Sequence, residues 1–243
     1  IADELIKTAA ERAMRDGEVM TPDIGLYDEF AARFPYEETE DQIDAIEAVI
    51  DDLASGRPMD RLICGDVGFG KTEVGLRAAF IAAMSGKQVA VVAPTTLLAR
   101  QHAKTFTERF VGMPVEIAEL SRLVGTAQAA EAKEGLKSGT VDIVIGTHAL
   151  LAKNIEFSRL GLVIVDEEQH FGVAHKERLK ALRAEVHMLT LTATPIPRTL
   201  QMALTGVRDL SLIASPPVDR LAVRTYVTPF DAVGIREALL REK

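Results

Sequence analysis

The strongest chemical signal in the sequence is a glycine-rich loop at residues 65–72, which reads Gly-Asp-Val-Gly-Phe-Gly-Lys-Thr. It follows a short apolar run and precedes a helical pattern, which is the setting of a phosphate-binding loop. Its lysine is expected to reach the β- and γ-phosphates of a nucleotide, and its threonine to ligate Mg²⁺. The alternative is a glycine-rich turn without a ligand. The predicted cofactor-binding residues here are Gly65, Asp66, Gly68, Gly70, Lys71, Thr72 and Glu73.

A second signal is an apolar run, residues 162–165, that ends in the acids Asp166, Glu167 and Glu168 and then Gln169. Asp166 is predicted to hold Mg²⁺ together with Thr72, through the water shell of the ion. Glu167 is predicted to orient or deprotonate an attacking water molecule. A solvated acidic turn is the alternative.

Three further loops place hydroxyl groups directly after apolar runs. They carry Thr95 and Thr96, Thr147 followed by His148, and Thr192 with Thr194. Hydroxyls and helix-starting amides can grip a phosphate backbone without reading bases. Taken singly, each threonine is also an ordinary helix N-cap.

These loops need a sheet that brings them to one edge. Apolar runs at 62–64, 89–93, 115–118, 141–145, 162–165 and 187–191 alternate with helical patterns at 71–85, 97–110, 126–137, 173–183 and 197–205. Strands that are apolar at consecutive positions are covered on both faces. The pattern predicts an α/β fold with a mainly parallel sheet, whose right-handed crossovers put all these loops at its carboxyl edge.

The residues before this alternation predict short helices. Apolar spacing marks an amphipathic helix at 1–16 and a second helix around Leu26, Phe30 and Phe34. Thr39 and Gln42 form a capping-box pattern for a third helix, with Ile43, Ile46, Ile50 and Leu53 as its predicted buried face. An alternating run at 221–227 predicts a final strand.

Composition restricts the class of protein. The net charge of −8 argues against a general nucleic-acid coat protein, though not against local DNA contact. One cysteine excludes a disulfide framework and fits a reducing cytosol. No apolar run is long enough to span a bilayer, so the prediction is a cytoplasmic protein without membrane contact. The first residue is not Met, and the chain is expected to be a fragment of a longer protein.

Taken in order, the motifs resemble those of superfamily 2 helicases and translocases. The matching segments are Gln42, GDVGFGKT, APTTLLA, GTHALL, VDEEQ and TATPIPRT. Within that superfamily the sequence is most similar to the bacterial transcription-repair coupling factors, through FPYEET, Phe69 and the run Arg208–Ser211, with the RecG branch-migration helicases as the alternative. The resemblance implies a RecA-like fold that binds ATP and Mg²⁺.

The resemblance also implies residue roles. Gln42 would bind the adenine edge and Phe34 or Tyr36 would stack on the ring, while capping alone is the other reading of Gln42. Gln169 would sense the γ-phosphate and join Lys71, Asp166 and Glu167 as the catalytic set. Thr192 and Thr194 would couple the ATP state to DNA grip. The implied DNA contacts are Thr95, Thr96, Thr147, His148 and Arg198.

The family organisation implies three parts: a helical connector at 1–33, a first RecA-like motor domain at 34–220, and a linker at 221–243 towards a second RecA-like domain. That second domain supplies an arginine to the ATP site, so this monomeric piece is expected to hydrolyse ATP at near-background rates. The implied partners are double-stranded DNA and, through other parts of the parent protein, RNA polymerase and nucleotide-excision repair proteins. A P-loop kinase or signalling NTPase and a pure docking module remain alternatives from other classes.

Overall fold

The computed structural model describes residues 10, 12, 14–152, 154–182, 185–193, 208–217, 227 and 229–241. Several predictions lie outside this set. They concern Thr194 and Arg198, the helix at 197–205, most of the helix at 1–16, and the strand at 221–227 apart from Val227.

Some of the described helices begin at side-chain caps. Thr39 accepts a hydrogen bond from the Gln42 N–H, and the Gln42 side chain accepts one from the Thr39 N–H, so the predicted capping box is confirmed. Thr95 in turn accepts from the Leu98 N–H. The helices are α1 (Ile24–Ala32), α2 (Glu40–Ala54), α3 (Lys71–Met84), α4 (Thr96–Arg109), α5 (Thr126–Ser138), α6 (Val173–Leu182) and α7 (Ala232–Arg241), with short 3-10 helices at His148–Leu151 and Glu168–His170.

Seven parallel strands of the described residues form one sheet, ordered β3-β4-β2-β5-β6-β1-β7. They are β1 (Asp60–Gly65), β2 (Gln88–Val92), β3 (Ile117–Leu120), β4 (Ile143–Gly146), β5 (Leu160–Asp166), β6 (His187–Thr192) and β7 (Asp209–Ile213). The α/β fold class is therefore confirmed. Because β6 lies between β1 and β5, its carboxyl end lies between the loop that follows β1 (residues 65–72, the phosphate-binding loop) and the loop that follows β5 (residues 166–169, the acidic loop).

Both faces of the sheet are covered by apolar side chains. Along β5, Leu162 and Ile164 join one core cluster, while Val163 and Val165 join the other. The first cluster packs against helices α1 to α4 and includes Phe30, which stacks on Phe80 with ring centroids 4.4 Å apart. This double coverage explains why central strands such as β5 carry apolar residues at consecutive positions.

The structure corrects three details of the sequence prediction. Strand β3 is Ile117–Leu120, two residues later than expected at both ends. Ile43 is 42% exposed, and α2 instead buries Gln42, Ala45, Ile46, Val49 and Leu53. Strand β7 was not predicted, because only its last residue, Ile213, is buried and this edge strand lacks a continuous apolar run. None of the described helices is long and apolar enough to cross a bilayer.

Candidate functional site

The loop at 65–72 joins β1 to α3 and folds around the Lys71 side chain. The Lys71 ammonium donates hydrogen bonds to the carbonyls of Gly65 (2.6 Å) and Asp66 (2.9 Å). Gly68 and Gly70 have φ values of 81° and 78°, in the left-handed region that favours glycine. The loop therefore has the backbone that a phosphate cradle needs.

The acidic loop lies within electrostatic reach of that lysine. Burial lowers the pKa of the Lys71 ammonium, and the carboxylates of Glu167 and Asp166 oppose this shift. Opposition of this kind requires short distances between the charges. The structure thus brings together the two loops that the sequence separates by 95 residues, counted from Lys71 to Asp166 (166 − 71).

Glu167 turns the chain sharply after β5. Its φ of 50° is the one positive φ of a non-glycine residue in the described ranges, a conformation that costs on the order of 1–3 kcal/mol and clusters at functional sites. Its carboxylate accepts hydrogen bonds from the Thr192 hydroxyl (3.0 Å), the Ala193 N–H (2.8 Å) and the Gln169 amide. The Glu167 side chain is thereby fixed to the carboxyl end of β6.

Three of the predicted residues, Glu167, Gln169 and Thr192, contact one another, since the Thr192 hydroxyl also lies 3.3 Å from the Gln169 side-chain oxygen. A shift of Glu167 or Gln169 would therefore be felt at the end of β6. Thr194, its predicted companion, lies outside the described residues.

Asp166 has a partner that sequence reasoning missed. The Nε2 atom of His102 lies 2.8 Å from Asp166 Oδ2, and both side chains are largely buried. His102 comes from α4, the helix that follows Thr95 and Thr96. A polar residue at position 102 in the otherwise apolar buried stripe of Ala99, Ala103 and Phe106 is the signal that could have revealed it.

A cavity of about 730 Å³ opens beside the phosphate-binding loop. Its size falls within the range of small-molecule sites. Phe34 and Tyr36 line it and meet edge to face, with ring centroids 5.5 Å apart. Gln42, Thr72 and Arg109 also line it, so the predicted base-binding residues and the predicted metal ligand share one space.

Gln42 connects this cavity to the loop. It is 2% exposed, and its Nε2 donates to the Phe69 carbonyl (2.8 Å), while its Oε1 accepts from the Thr39 N–H (3.0 Å). A side-chain amide has two N–H donors and two lone pairs, so one of each remains for a base edge. The capping role and the base-binding role of Gln42 are compatible.

Glu73 differs from the expected phosphate-side residue. Its side chain is 4% exposed and lies between two arginines, 2.9 Å from Arg77 and 2.7 Å from Arg109. Arg77 also pairs with Glu38. The Glu73 carboxylate therefore holds the cavity wall together. Glu73 also lines the cavity, and its cofactor contact stays a prediction. Glu38 and Arg109 were missed because no motif spaces them, whereas the i,i+4 spacing of Glu73 and Arg77 is a signal that could have revealed Arg77.

The predicted DNA-contacting residues lie at the ends of neighbouring strands. Thr95 follows β2 and caps α4, and Thr147 follows β4 and is buried. His148 packs against His175 with ring centroids 4.4 Å apart. Burial is the main cause that lowers the pKa of His148, and charge on the neighbouring His175 lowers it further. Thr96 begins α4 beside Thr95, and Arg198 lies outside the described residues.

A buried ion-pair chain beneath the acidic loop was also missed. Arg208 is fully buried and lies 2.9 Å from Asp60 and 3.3 Å from Glu168. Asp60 in turn pairs with Arg12 at 3.2 Å. This chain ties the acidic loop to the amino end of β1, so Glu168 has a structural partner.

The oxygen donors at this edge suit a hard cation. Thr72 offers a hydroxyl and Asp166 a carboxylate, which are ligand types that Mg²⁺ takes alongside water and substrate phosphates. Within the described ranges no group of three or more His, Cys, Asp or Glu residues could hold a metal by itself. Such a sparse donor set fits a cation that is completed by phosphates.

The comparisons with known proteins bear directly on this arrangement. The family profile of the DEAD/DEAH box helicases matches residues 39–203, more than half of the chain. The chain belongs to the DEAD/DEAH box helicase family. Membership confirms the superfamily expected from the motifs and implies nucleotide binding in general.

Among helicase-family relatives, the transcription-repair-coupling factor of Bacillus subtilis is 55% identical over 242 residues, and that of Escherichia coli is 53% identical. Each alignment covers 100% of this chain and 21% of the relative. The predicted resemblance to coupling factors is confirmed. The chain spans about a fifth of the length of these relatives.

Among solved structures, RecG bound to a three-way DNA junction superposes with a TM-score of 0.79 at 32% identity, over 99% of this chain and 33% of that chain. The Hef helicase domain of Pyrococcus furiosus gives a TM-score of 0.56 at 20% identity, over 73% of this chain and 38% of that one. The second likeness is one of fold alone. Both support the RecA-like helicase fold.

Proposed function

We propose that this chain is the first, ATP-binding motor domain of a bacterial transcription-repair coupling factor. The whole protein would be cytoplasmic, move on double-stranded DNA with ATP, displace stalled RNA polymerase and recruit nucleotide-excision repair proteins. The identity of 55% to a coupling factor across the entire chain supports this assignment. Family membership argues against the kinase alternative.

The phosphate end of the site would hold the triphosphate. The backbone of residues 65–72 would face the phosphates, with the N-terminus of α3 adding its dipole. Lys71, drawn to the loop carbonyls by short hydrogen bonds, would transfer to the β- and γ-phosphates. Thr72 and Asp166 would hold Mg²⁺, which when bound would neutralise charge on the phosphate oxygens.

The base end would hold adenosine. Phe34 or Tyr36 would stack on the adenine ring, because both side chains line the cavity. The two aromatic rings already contact each other edge to face. The free N–H and lone pair of Gln42 match the donor and acceptor on the adenine edge. Selection for adenine would therefore depend on a residue whose orientation is set by Thr39 and Phe69.

Hydrolysis would be coupled to movement through Glu167. The observation that supports the motor reading best is its contact with Thr192 and Ala193, because the water-activating carboxylate is bonded to the strand end that leads into the next motif. Gln169, which also contacts Glu167, would sense the γ-phosphate. Thr194 would extend the same path.

DNA would lie along the carboxyl edge of β2 and β4. Thr95, Thr96 and His148 would meet its phosphates there, together with Arg198. Thr147 is buried and would have to become exposed to join them. These contacts fix position without reading sequence. The overall charge of −8 implies that the contact is local.

The domain organisation is part of the proposal. Residues 1–33 would connect to an upstream domain, with Phe30 anchored in the motor core. Residues 34–220 would form the motor, and 221–243 would lead to a second RecA-like domain. The arginine from that domain accelerates such reactions by about 10³–10⁵, so the monomeric 243-residue chain alone would turn over ATP at near-background rates.

The test compares ATP hydrolysis by this chain and by the full-length protein, each with and without duplex DNA. DNA-stimulated turnover in the full-length protein alone is expected, together with release of stalled RNA polymerase from DNA. Turnover by the short chain equal to that of the full-length protein would contradict the division of the site. A Lys71→Ala protein that still displaced polymerase would indicate a docking role without a motor.

A RecG-type branch-migration helicase is the second candidate, favoured by the superposition with RecG over 99% of this chain. The two activities can be separated in one preparation. Displacement of stalled polymerase without unwinding of three-way junctions supports the coupling factor, and the reverse result supports fork remodelling.

A further inference from the structure

His102 stands out among the buried polar groups because it contacts the acid proposed to hold the metal. Its Nε2 atom lies 2.8 Å from Asp166 Oδ2. The side chains of His102 and Asp166 are 11% and 15% exposed. The contact is therefore sheltered from water, where a hydrogen bond to a carboxylate is stronger than on the surface.

The contact leaves the carboxylate with two different oxygens. Oδ2 is tied to the imidazole, so Oδ1 is the oxygen that a bound Mg²⁺ would take. Hydrogen-bonded partners of metal-binding carboxylates fix the orientation of the ligand, and their loss typically costs about 10–100-fold in metal affinity or activity.

His102 also belongs to the helix that begins at the candidate DNA edge. Thr95 caps α4 through its bond to Leu98, and His102 lies seven residues further along, about 10 Å at 1.5 Å per residue. Ala103 and Phe106 anchor the same helix in the core. A rigid helix thus joins a candidate phosphate contact at one end to the metal-holding acid two turns away.

We infer that His102 is a positioning residue that orients the Asp166 carboxylate for Mg²⁺ and links this orientation to the α4 helix at the DNA edge. The inference rests on the proposed function for the role of Asp166. It adds to it a specific route, Thr95–α4–His102–Asp166, by which a movement at the DNA edge reaches the metal ligand.

The first test measures binding of a fluorescent, non-hydrolysable ATP analogue to the chain as Mg²⁺ is titrated. His102→Phe keeps the ring volume but removes the hydrogen bond, and it is expected to require roughly tenfold more Mg²⁺ for half-maximal binding, at the lower end of the range for such partners. Its affinity for the analogue in EDTA should stay within about twofold of wild type, since the loop at 65–72 is unchanged.

Two polar variants keep the test decisive if His102→Phe folds poorly. The amide nitrogen of glutamine can take the place of Nε2, so His102→Gln should recover the Mg²⁺ dependence of the wild type. Asparagine is too short to do so, and His102→Asn should behave as His102→Phe. Gln101→Ala, at an exposed position of the same helix, is the matched control and should match the wild type.

The second test uses the full-length protein. With the His102→Phe variant, maximal DNA-stimulated ATP turnover should fall about tenfold, and the DNA concentration for half-maximal stimulation at saturating Mg²⁺ should rise, because coupling between the DNA edge and the Mg²⁺ site is reciprocal. Equal loss of nucleotide affinity with Mg²⁺ and in EDTA, or an unchanged Mg²⁺ titration, would overturn the inference. If the wild-type protein lacks DNA-stimulated turnover, the motor proposal fails, while the Mg²⁺ titration still decides the role of His102.

Discussion

The proposed phosphate end and the proposed base end of the nucleotide site are built on different principles. The phosphate end consists of loops in which backbone geometry and short-range contacts do the positioning, as in the bonds from Lys71 to the carbonyls of Gly65 and Asp66. The base end is a wall of buried charges, in which Glu73 is held between Arg77 and Arg109. The Lys71 contacts at the phosphate end must break for the lysine to reach a ligand, whereas the ion pairs at the base end must persist to keep the shape of the cavity.

This difference predicts how each end fails. Removing a group from the phosphate end should abolish chemistry and leave the fold intact, because its residues are few and loop-borne. Removing a charge from the base-end wall should mainly lower the free energy of unfolding, because an unpaired buried charge destabilises the folded state. The mutations below separate the two cases, from the largest expected effect to the smallest.

Glu73→Ala should have the largest effect on stability. It leaves Arg77 and Arg109 buried without their shared carboxylate, and loss of one partner of a buried ion pair costs about 3–5 kcal/mol. The free energy of unfolding in urea measures it. Glu131→Ala, at an exposed position of α5, should change it by less than about 0.5 kcal/mol. Equal losses of stability in Glu73→Ala and Glu131→Ala would contradict the view that buried ion pairs hold the base end together.

Lys71→Ala should show the opposite profile. Loss of one charge-stabilising group from a catalytic site lowers turnover by about 10²–10³-fold, so DNA-stimulated ATP hydrolysis by the full-length protein should fall by at least this factor. Its urea midpoint should stay near that of wild type. The control is Lys104→Ala, because the Lys104 side chain is 76% exposed. A large loss of stability with Lys71→Ala would show that the lysine supports the fold instead.

Gly70→Ala probes the point where the two ends touch. A Cβ there would lie 2.2 Å from Gln42 Nε2, and φ is 78°. Gly86 has a similar φ of 74° with nothing within 4 Å of an added Cβ, so Gly86→Ala should show only the backbone cost of about 1–2 kcal/mol. Gly70→Ala should exceed that value and also weaken nucleotide binding. Equal free energies of unfolding for Gly70→Ala and Gly86→Ala would mean that the Gln42 side chain moves away from the added methyl group at no cost.

His187 gives the smallest effect and a reference away from both ends. It is 1% exposed, its Nδ1 accepts from the Met59 N–H, and its Nε2 lies 2.8 Å from the Glu18 carbonyl. Burial lowers the pKa of His187 below its model-peptide value of 6.5.

The unfolded state then binds more protons than the folded state, so this contribution to stability is present above pH 6.5 and is lost as the pH falls below that value. The free energy of unfolding should decline between pH 7.5 and 5.5. This decline should be smaller in His187→Gln and unchanged in His170→Gln, an exposed site. A pH slope that His187→Gln leaves intact would assign the decline to other groups.

The sequence predicted the loop and sheet positions of the proposed phosphate end, but it did not reveal the ion pairs in the wall of the proposed base end. Residues 65–72 and 166–169 are contiguous motifs whose spacing alone specifies their geometry, and the apolar runs specify the parallel sheet. Glu38, Arg109 and His102 carry no such spacing, because their partners come from other segments of the chain and only packing brings them together. Arg77 lies four residues after Glu73 on α3, a helical ion-pair spacing that the sequence analysis did not use. Strand β7 was missed because an edge strand need not be apolar on both faces.

The most direct test of the central claim is a crystal structure of the chain with an Mg-bound, non-hydrolysable ATP analogue. The phosphates should lie against the backbone of residues 65–72, with Mg²⁺ beside Thr72 and Asp166 and the adenine between Gln42 and Phe34 or Tyr36. A nucleotide bound elsewhere, or one whose base lies outside the cavity that Arg109 and Glu73 wall, would contradict the account.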